Sequence, residues 1–155
     1  MAIRNVVKEG DDVLRKVARP VIEFGPRLWT LLDDMADTMY EQNGCGLAGN
    51  QVGILRRVVV IDVGEGLIEL VNPEITEREG EQQEVEGCLS CPGEYGFTKR
   101  PMKVTVKAFD RFGEEKTYEG EGLLARAFCH ELDHLDGVIF KDNVIRMLLP
   151  EELEE

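Results

Sequence analysis

The chain has 155 residues, 43% of them apolar, and a formal net charge of −13 at pH 7. That length and apolar share fit one domain, residues 1–155, able to bury a core without disulfide staples. So negative a chain excludes a nucleic-acid partner unless a basic patch compensates, and Arg15-Lys16 and Lys99-Arg100 are too small for one.

Met1 to Arg19 carries no hydrophobic signal region, and no later run approaches the roughly 20 apolar residues of a membrane span, so no membrane partner and a cytoplasmic location are expected. A turn and a short helix are predicted near Asp11 to Ala18, then an extended stretch after Pro20. A longer helix is predicted from Pro26 or Arg27 to Glu41, because Leu28, Leu31, Leu32, Met35 and Met39 recur at helical spacing and Asn43-Gly44 stops it. The glycine-rich Gly44-Cys45-Gly46-Leu47-Ala48-Gly49 follows a helix and lacks the strand–turn–helix setting of a nucleotide loop. It reads instead as backbone that approaches a ligand closely, with Gln51 directed into the same site. Strands are predicted at Arg57 to Asp62, Ile68 to Val71 and Lys103 to Ala108, and a turn at Asp110 to Gly113 leads into another at Lys116 to Tyr118. A last helix carries Leu123, Leu124, Ala127, Phe128, Leu132 and Leu135 at helical spacing between Gly120-Glu121-Gly122 and Gly137. The acidic tail, Glu151 to Glu155, reads as a solvated helix end. Helices flanking a strand-rich middle predict an α+β fold: antiparallel sheets packed around a central C-terminal helix, with further helices near the N-terminus.

That last helix contains both histidines of the chain, in His130-Glu131-Leu132-Asp133-His134. A four-residue step places the two imidazoles one turn apart on one face, where they can grip a divalent metal while Glu131 serves as a base. The alternative is a solvated face that binds nothing, and the surrounding apolar spacing weighs against it. A third ligand must come from a cysteine or a carboxylate. Cys129 and Asp133 are each rotated about 100 degrees from the adjacent histidine, which leaves Cys88 and Cys91 ahead of Cys45. In a reducing compartment the four cysteines are thiols or ligands rather than disulfides.

Glu86-Gly87-Cys88-Leu89-Ser90, His130-Glu131-Leu132-Asp133-His134 and Gly44-Cys45-Gly46-Leu47-Ala48-Gly49-Asn50-Gln51 together resemble the three motifs of the peptide deformylases, in the family's order. The resemblance extends to Gly10-Asp11-Asp12-Val13-Leu14-Arg15 and to Arg100-Pro101. The chain departs from the family at Gly49, usually alanine, at Asn50, often proline or a small residue, and at Cys129, often glutamine. The first two departures are expected to loosen or re-aim the loop.

The resemblance implies a metal held by Cys88, His130 and His134 with an open fourth position, Fe²⁺ by preference and Zn²⁺, Ni²⁺ or Co²⁺ as alternatives. It implies hydrolysis of the formyl group on the N-terminal methionine of newly made polypeptides, which releases formate. Glu131 would be the proton carrier, and the Gln51 amide and the Leu89 backbone N–H the donors to the developing oxyanion. Leu123 and Ala127 with Gly46 are expected to line the methionine pocket, and Gly44, Leu47, Glu86 and Gly87 to complete the substrate contacts. A Glu86–Arg100 ion pair is expected to fix the cysteine loop. Some family members bear a longer, basic C-terminal helix implicated in ribosome contact; this chain lacks it, which speaks against direct ribosome contact through the tail. Two rivals remain on the residues alone. One is a structural Cys₂His₂ zinc module using Cys91, disfavoured by the long gap between cysteines and histidines; the other is a different HExxH metallohydrolase, disfavoured because no histidine follows His134.

Overall fold

The structure, a computed structural model, describes residues 2–152; residues 153–155 of the acidic tail lie outside it. The first long helix, α1, runs Pro26–Glu41. Proline sits in its first turn, where the missing N–H costs nothing, and all five apolar positions that predicted it are buried. The chain reverses out of it at Asn43, whose φ of 57° is left-handed. The short helix expected near Asp11 to Ala18 is only a 3-10 turn, Asp12–Arg15. The chain beyond it is drawn out straight: Ala18 N–H donates to Leu135 O at 2.8 Å and Arg19 N–H to Leu55 O at 3.0 Å, so a helix has no backbone groups left to use.

The strands in chain order are β1 Gly46–Ala48, β2 Val58–Ile61, β3 Ile68–Glu79, β4 Gln82–Cys88, β5 Cys91–Arg100, β6 Lys103–Phe109, β7 Glu115–Glu121 and β8 Val144–Met147. They form an antiparallel five-stranded sheet ordered β1-β2-β3-β6-β7 and a three-stranded sheet ordered β4-β5-β8. β2 is buried on both faces. By the two-residue period of a strand, Val58 and Val60 join Leu28, Leu32, Met35 and Met39 of α1 on one face, and Val59 and Ile61 join the apolar side of the second helix on the other. That second helix, α2, runs Leu123–Leu135, begins at Gly122 (φ 59°) and is followed by Gly137 (φ 78°). The glycine boundaries predicted for it are therefore where the backbone turns.

Two strand predictions fall short. β3 continues eight residues past Val71, through Asn72 to Glu79, a charged stretch held by pairing to β6 rather than by burial. β1, β4, β5 and β8 were not foreseen. On β4 the buried positions are Gln82 and Glu86, so the strand shows no apolar alternation. Its inward polar groups are answered by specific partners: Gln82 Nε2 donates to Pro101 O and Gly122 O at 3.0 and 2.8 Å, and Glu86 is held by Arg100. Among the described residues no helix is long and apolar enough to cross a membrane.

Candidate active site

β1, the end of β4 and α2 converge on a cavity of about 290 Å³. α2 contributes His130 and His134, one turn apart with ring centroids separated by 5.0 Å, as the four-residue spacing requires. β4 ends at Cys88, and the hairpin into β5 turns its thiol toward the helix. Cys88 Sγ lies 3.3 Å from His134 Nε2. One donor atom from each of Cys88, His130 and His134 lies within 4.8 Å of the others. Donors around a single tetrahedral ion, at about 2.0–2.3 Å each, sit roughly 3.3–3.8 Å apart. Soft thiolate and neutral imidazole also suit one divalent transition metal. The residues fit the group.

The ring orientation of His130 is set from behind. Its Nδ1 contacts Glu86 Oε1 at 2.9 Å, leaving Nε2 toward the cavity. Glu86 in turn receives Arg100 Nε and Nη2, both at 2.9 Å, and the Thr98 hydroxyl, while Arg100 Nη1 reaches Asp133 at 2.8 Å. The expected Glu86–Arg100 pair is thus present and extends to Asp133. Burial alone would raise the Glu86 carboxyl, but the hydrogen bonds from His130 and Arg100 outweigh it and hold it well below the usual carboxylate range. Burial lowers His134 well below the ordinary imidazole value, with His130 adding to the effect. Burial works the same way on His130, yet Glu131 and Glu86 more than offset it and raise the group.

Glu131 faces the cavity with only 5% of its surface exposed, and its Oε1 has no hydrogen-bond partner among the described residues. Burial pushes its carboxyl up to about 7. It is packed against Gly46, where a Cβ would fall 2.5 Å from Glu131 Oε2, so any side chain there would displace the carboxylate. Gly44 is constrained in the same way by Leu89, and Gly87 by Tyr95. Gln51 is 1% exposed; its Oε1 accepts from Ala48 N–H at 3.0 Å, which turns the amide N–H₂ toward Cys88 Sγ at 3.4 Å and Ser90 Oγ at 3.2 Å.

The cavity wall includes Gly44, Gly46, Gln51, Glu86, Gly87, Cys88, Leu89, Leu123, Ala127, His130 and Glu131, all of them expected from the sequence. Leu47 is the correction. Gly46 and Ala48 look toward α2, and the intervening Leu47 faces α1, fully buried in the opposite core. The loop is also tighter than its composition suggested. A Cβ at Gly49 would meet Arg56 O at 2.7 Å and Ile54 O at 2.8 Å, and Asn50 Nδ2 donates to Lys16 O at 2.8 Å. Gly49 permits this close packing, and Asn50 ties the loop to Lys16. Cys45, the cysteine ranked behind Cys88 and Cys91 as a ligand, also lines the wall; Asn43, Val85, Tyr95 and Arg126 complete it and were not foreseen, because none of these four belongs to a donor set or a periodic apolar face. Cys91, the other candidate ligand, is grouped instead with Glu9 and Glu94.

The sequence profile of the polypeptide deformylase family matches residues 3–148 of this chain. The chain belongs to this family. It is 62% identical over 155 residues to the peptide deformylase of Thermoanaerobacter pseudethanolicus, covering 100% of this chain and 98% of that one. It is 63% identical over 154 residues to that of Caldanaerobacter subterraneus subsp. tengcongensis, covering 99% and 97%. The crystal structure of a peptide deformylase from Legionella pneumophila matches with a TM-score of 0.89 at 47% identity, over 97% of this chain and 89% of that one. The Thermotoga maritima enzyme matches with a TM-score of 0.91 at 41% identity, over 93% and 99%. The deformylases remove the formyl group from nascent peptides and are metal-dependent, and this chain is an enzyme of that family.

Proposed function

We propose that Cys88, His130 and His134 hold one divalent cation, Fe²⁺ by preference, and that Glu131, Gln51 and Leu89 carry out hydrolysis of the formyl group on N-formylmethionyl peptides. When bound, such an ion supplies positive charge that polarises a carbonyl and makes water acidic near neutrality. Glu131 accepts a proton from the attacking water and returns it to the departing nitrogen; a carboxyl near neutrality can do both. The new C–O bond gives formate, and cleavage of the C–N bond frees the amino terminus. Gln51, its amide oriented by Ala48, and the Leu89 backbone N–H donate to the oxygen on which negative charge builds.

Leu123 and Ala127 offer the methionine side chain an apolar wall, with Gly44, Gly46 and Gly87 letting the peptide approach the backbone. Glu86 and Arg100 hold His130 in register. The chain acts as one catalytic domain in the cytoplasm on nascent peptides, without nucleic acid or membrane. The observation that carries this reading is a buried, unpartnered carboxylate oxygen beside three converging soft and imidazole donors. The test is formate release from a formylmethionyl peptide by protein purified without oxygen, with metal content measured in the same sample. Stoichiometric metal without formate release, or cleavage of internal peptide bonds instead, would overturn it.

A further inference from the structure

Arg126 is a cation in the cavity wall that the reaction does not use. It precedes His130 by four residues on α2, so it lies one turn away on the same face. Its side chain is 15% exposed, and its ion-pair partner is Glu84 at 3.9 Å, a residue itself 60% exposed. The Arg126 Nε is buried and has no hydrogen-bond partner among the described residues. Arg100 shows the contrast: three of its nitrogens donate to Glu86 and Asp133 at 2.8 to 2.9 Å. A guanidinium offers five N–H donors in a fixed fork suited to a carboxylate, and among the described residues that of Arg126 has only one long, solvent-side ion-pair contact. In a chain of net charge −13, an acidic ligand gains nothing from the overall field and depends on such a local cation.

The distances select which part of a substrate can reach it. One four-residue step along a helix is about 6 Å. From the formyl carbon of a bound peptide to the residue after the methionine is about two extended residue lengths, roughly 7 Å. With the methionine side chain against Leu123 and Ala127, the next group outside that apolar wall is the following residue.

We propose that Arg126 makes this enzyme favour nascent peptides with an acidic residue directly after the formylmethionine, the incoming carboxylate displacing Glu84 from the guanidinium. The inference rests on the formylmethionyl reading of the site. Its test compares kcat/KM for formyl-Met-Glu-Ala, formyl-Met-Gln-Ala and formyl-Met-Lys-Ala. The Glu peptide should exceed the Gln peptide by about tenfold, mainly through KM, as expected for one charge-assisted hydrogen bond, and the Lys peptide should be poorest. R126M should bring the Glu-to-Gln ratio close to one, R126K should retain part of it, and E84Q should raise it by removing the competing carboxylate. Metal content and thermal melting verify that each variant is loaded and folded. A wild-type ratio at or below one, or a ratio unchanged in loaded, folded R126M, overturns the proposal. If none of the three peptides yields formate, the formylmethionyl reading falls and takes this one with it.

Discussion

Among the described residues, two places gather a cysteine with two other metal-binding side chains, and the surroundings of only one of them suit a metal. Cys88, His130 and His134 meet in the interior, and so do Cys91, Glu9 and Glu94 toward the surface. In the second group Lys141 Nζ already lies 2.8 Å from Glu9 and 2.9 Å from Glu94, so an ammonium neutralises both acids. In the first group His130 has Glu86 behind it, and among the described residues no Lys or Arg is paired with Cys88, His130 or His134. Proximity of donors is common to both; what separates them is whether the chain itself supplies the positive charge. The two cysteines face each other across the Leu89-Ser90 turn, and their neighbours give them different surroundings.

The comparison can be broken most directly at the interior group. C88A or H134A should lose the bound ion and all measurable formate release, read by elemental analysis and the formate assay; full metal content in either variant would remove that residue from the ligand set. E131A should keep its ion yet lose about 10²–10⁴ in rate, the usual contribution of a positioned proton carrier, and near-normal turnover would show that another group moves the proton. R100A leaves Glu86 buried without its cation, and should cost about 3–5 kcal/mol of stability in urea unfolding. An unchanged midpoint would mean that Glu86 finds another partner.

The outer group should respond weakly. C91S should bind the same amount of metal as the parent, and a loss of metal would restore the Cys₂His₂ alternative. Arg15 and Asp142 form a partly exposed pair beside Lys141, and the hydrogen bond from Arg15 holds the Asp142 carboxyl below its ordinary value of 3.8. A carboxyl depressed in the folded state stabilises it fully above the unfolded pKa and loses that contribution as pH falls through the folded one. D142N should therefore cost under about 1 kcal/mol at pH 7, with the difference from the parent shrinking below pH 3.8. A deficit that persists undiminished in strong acid would assign the effect to something other than charge.

Much of the site is legible in the sequence. The imidazole pair, Glu131 between them and the glycine ends of α2 follow from a 3.6-residue period and from backbone freedom, both local properties of the chain. The span of α1 follows likewise from five apolar positions and a proline. By contrast, β4 was hidden because Gln82 and Glu86 occupy its buried face, and only their partners on Pro101, Gly122 and Arg100 make that burial tolerable. Arg126 was hidden for a related reason: a single charge on a helix carries no sign of the cavity it borders.

The chain alone therefore determined which residues could do chemistry, since spacing along a helix and the donor chemistry of Cys, His and Glu are carried by the covalent sequence. Tertiary structure decided which of them meet. Leu47 lies between two glycine-loop residues that face α2 and yet belongs to the opposite core, because strand pairing fixes the face of every second residue. Cys88 and not Cys91 joins the histidines because the β4–β5 hairpin turns one thiol toward α2 and leaves the other beside Glu9 and Glu94, where Lys141 neutralises the acids.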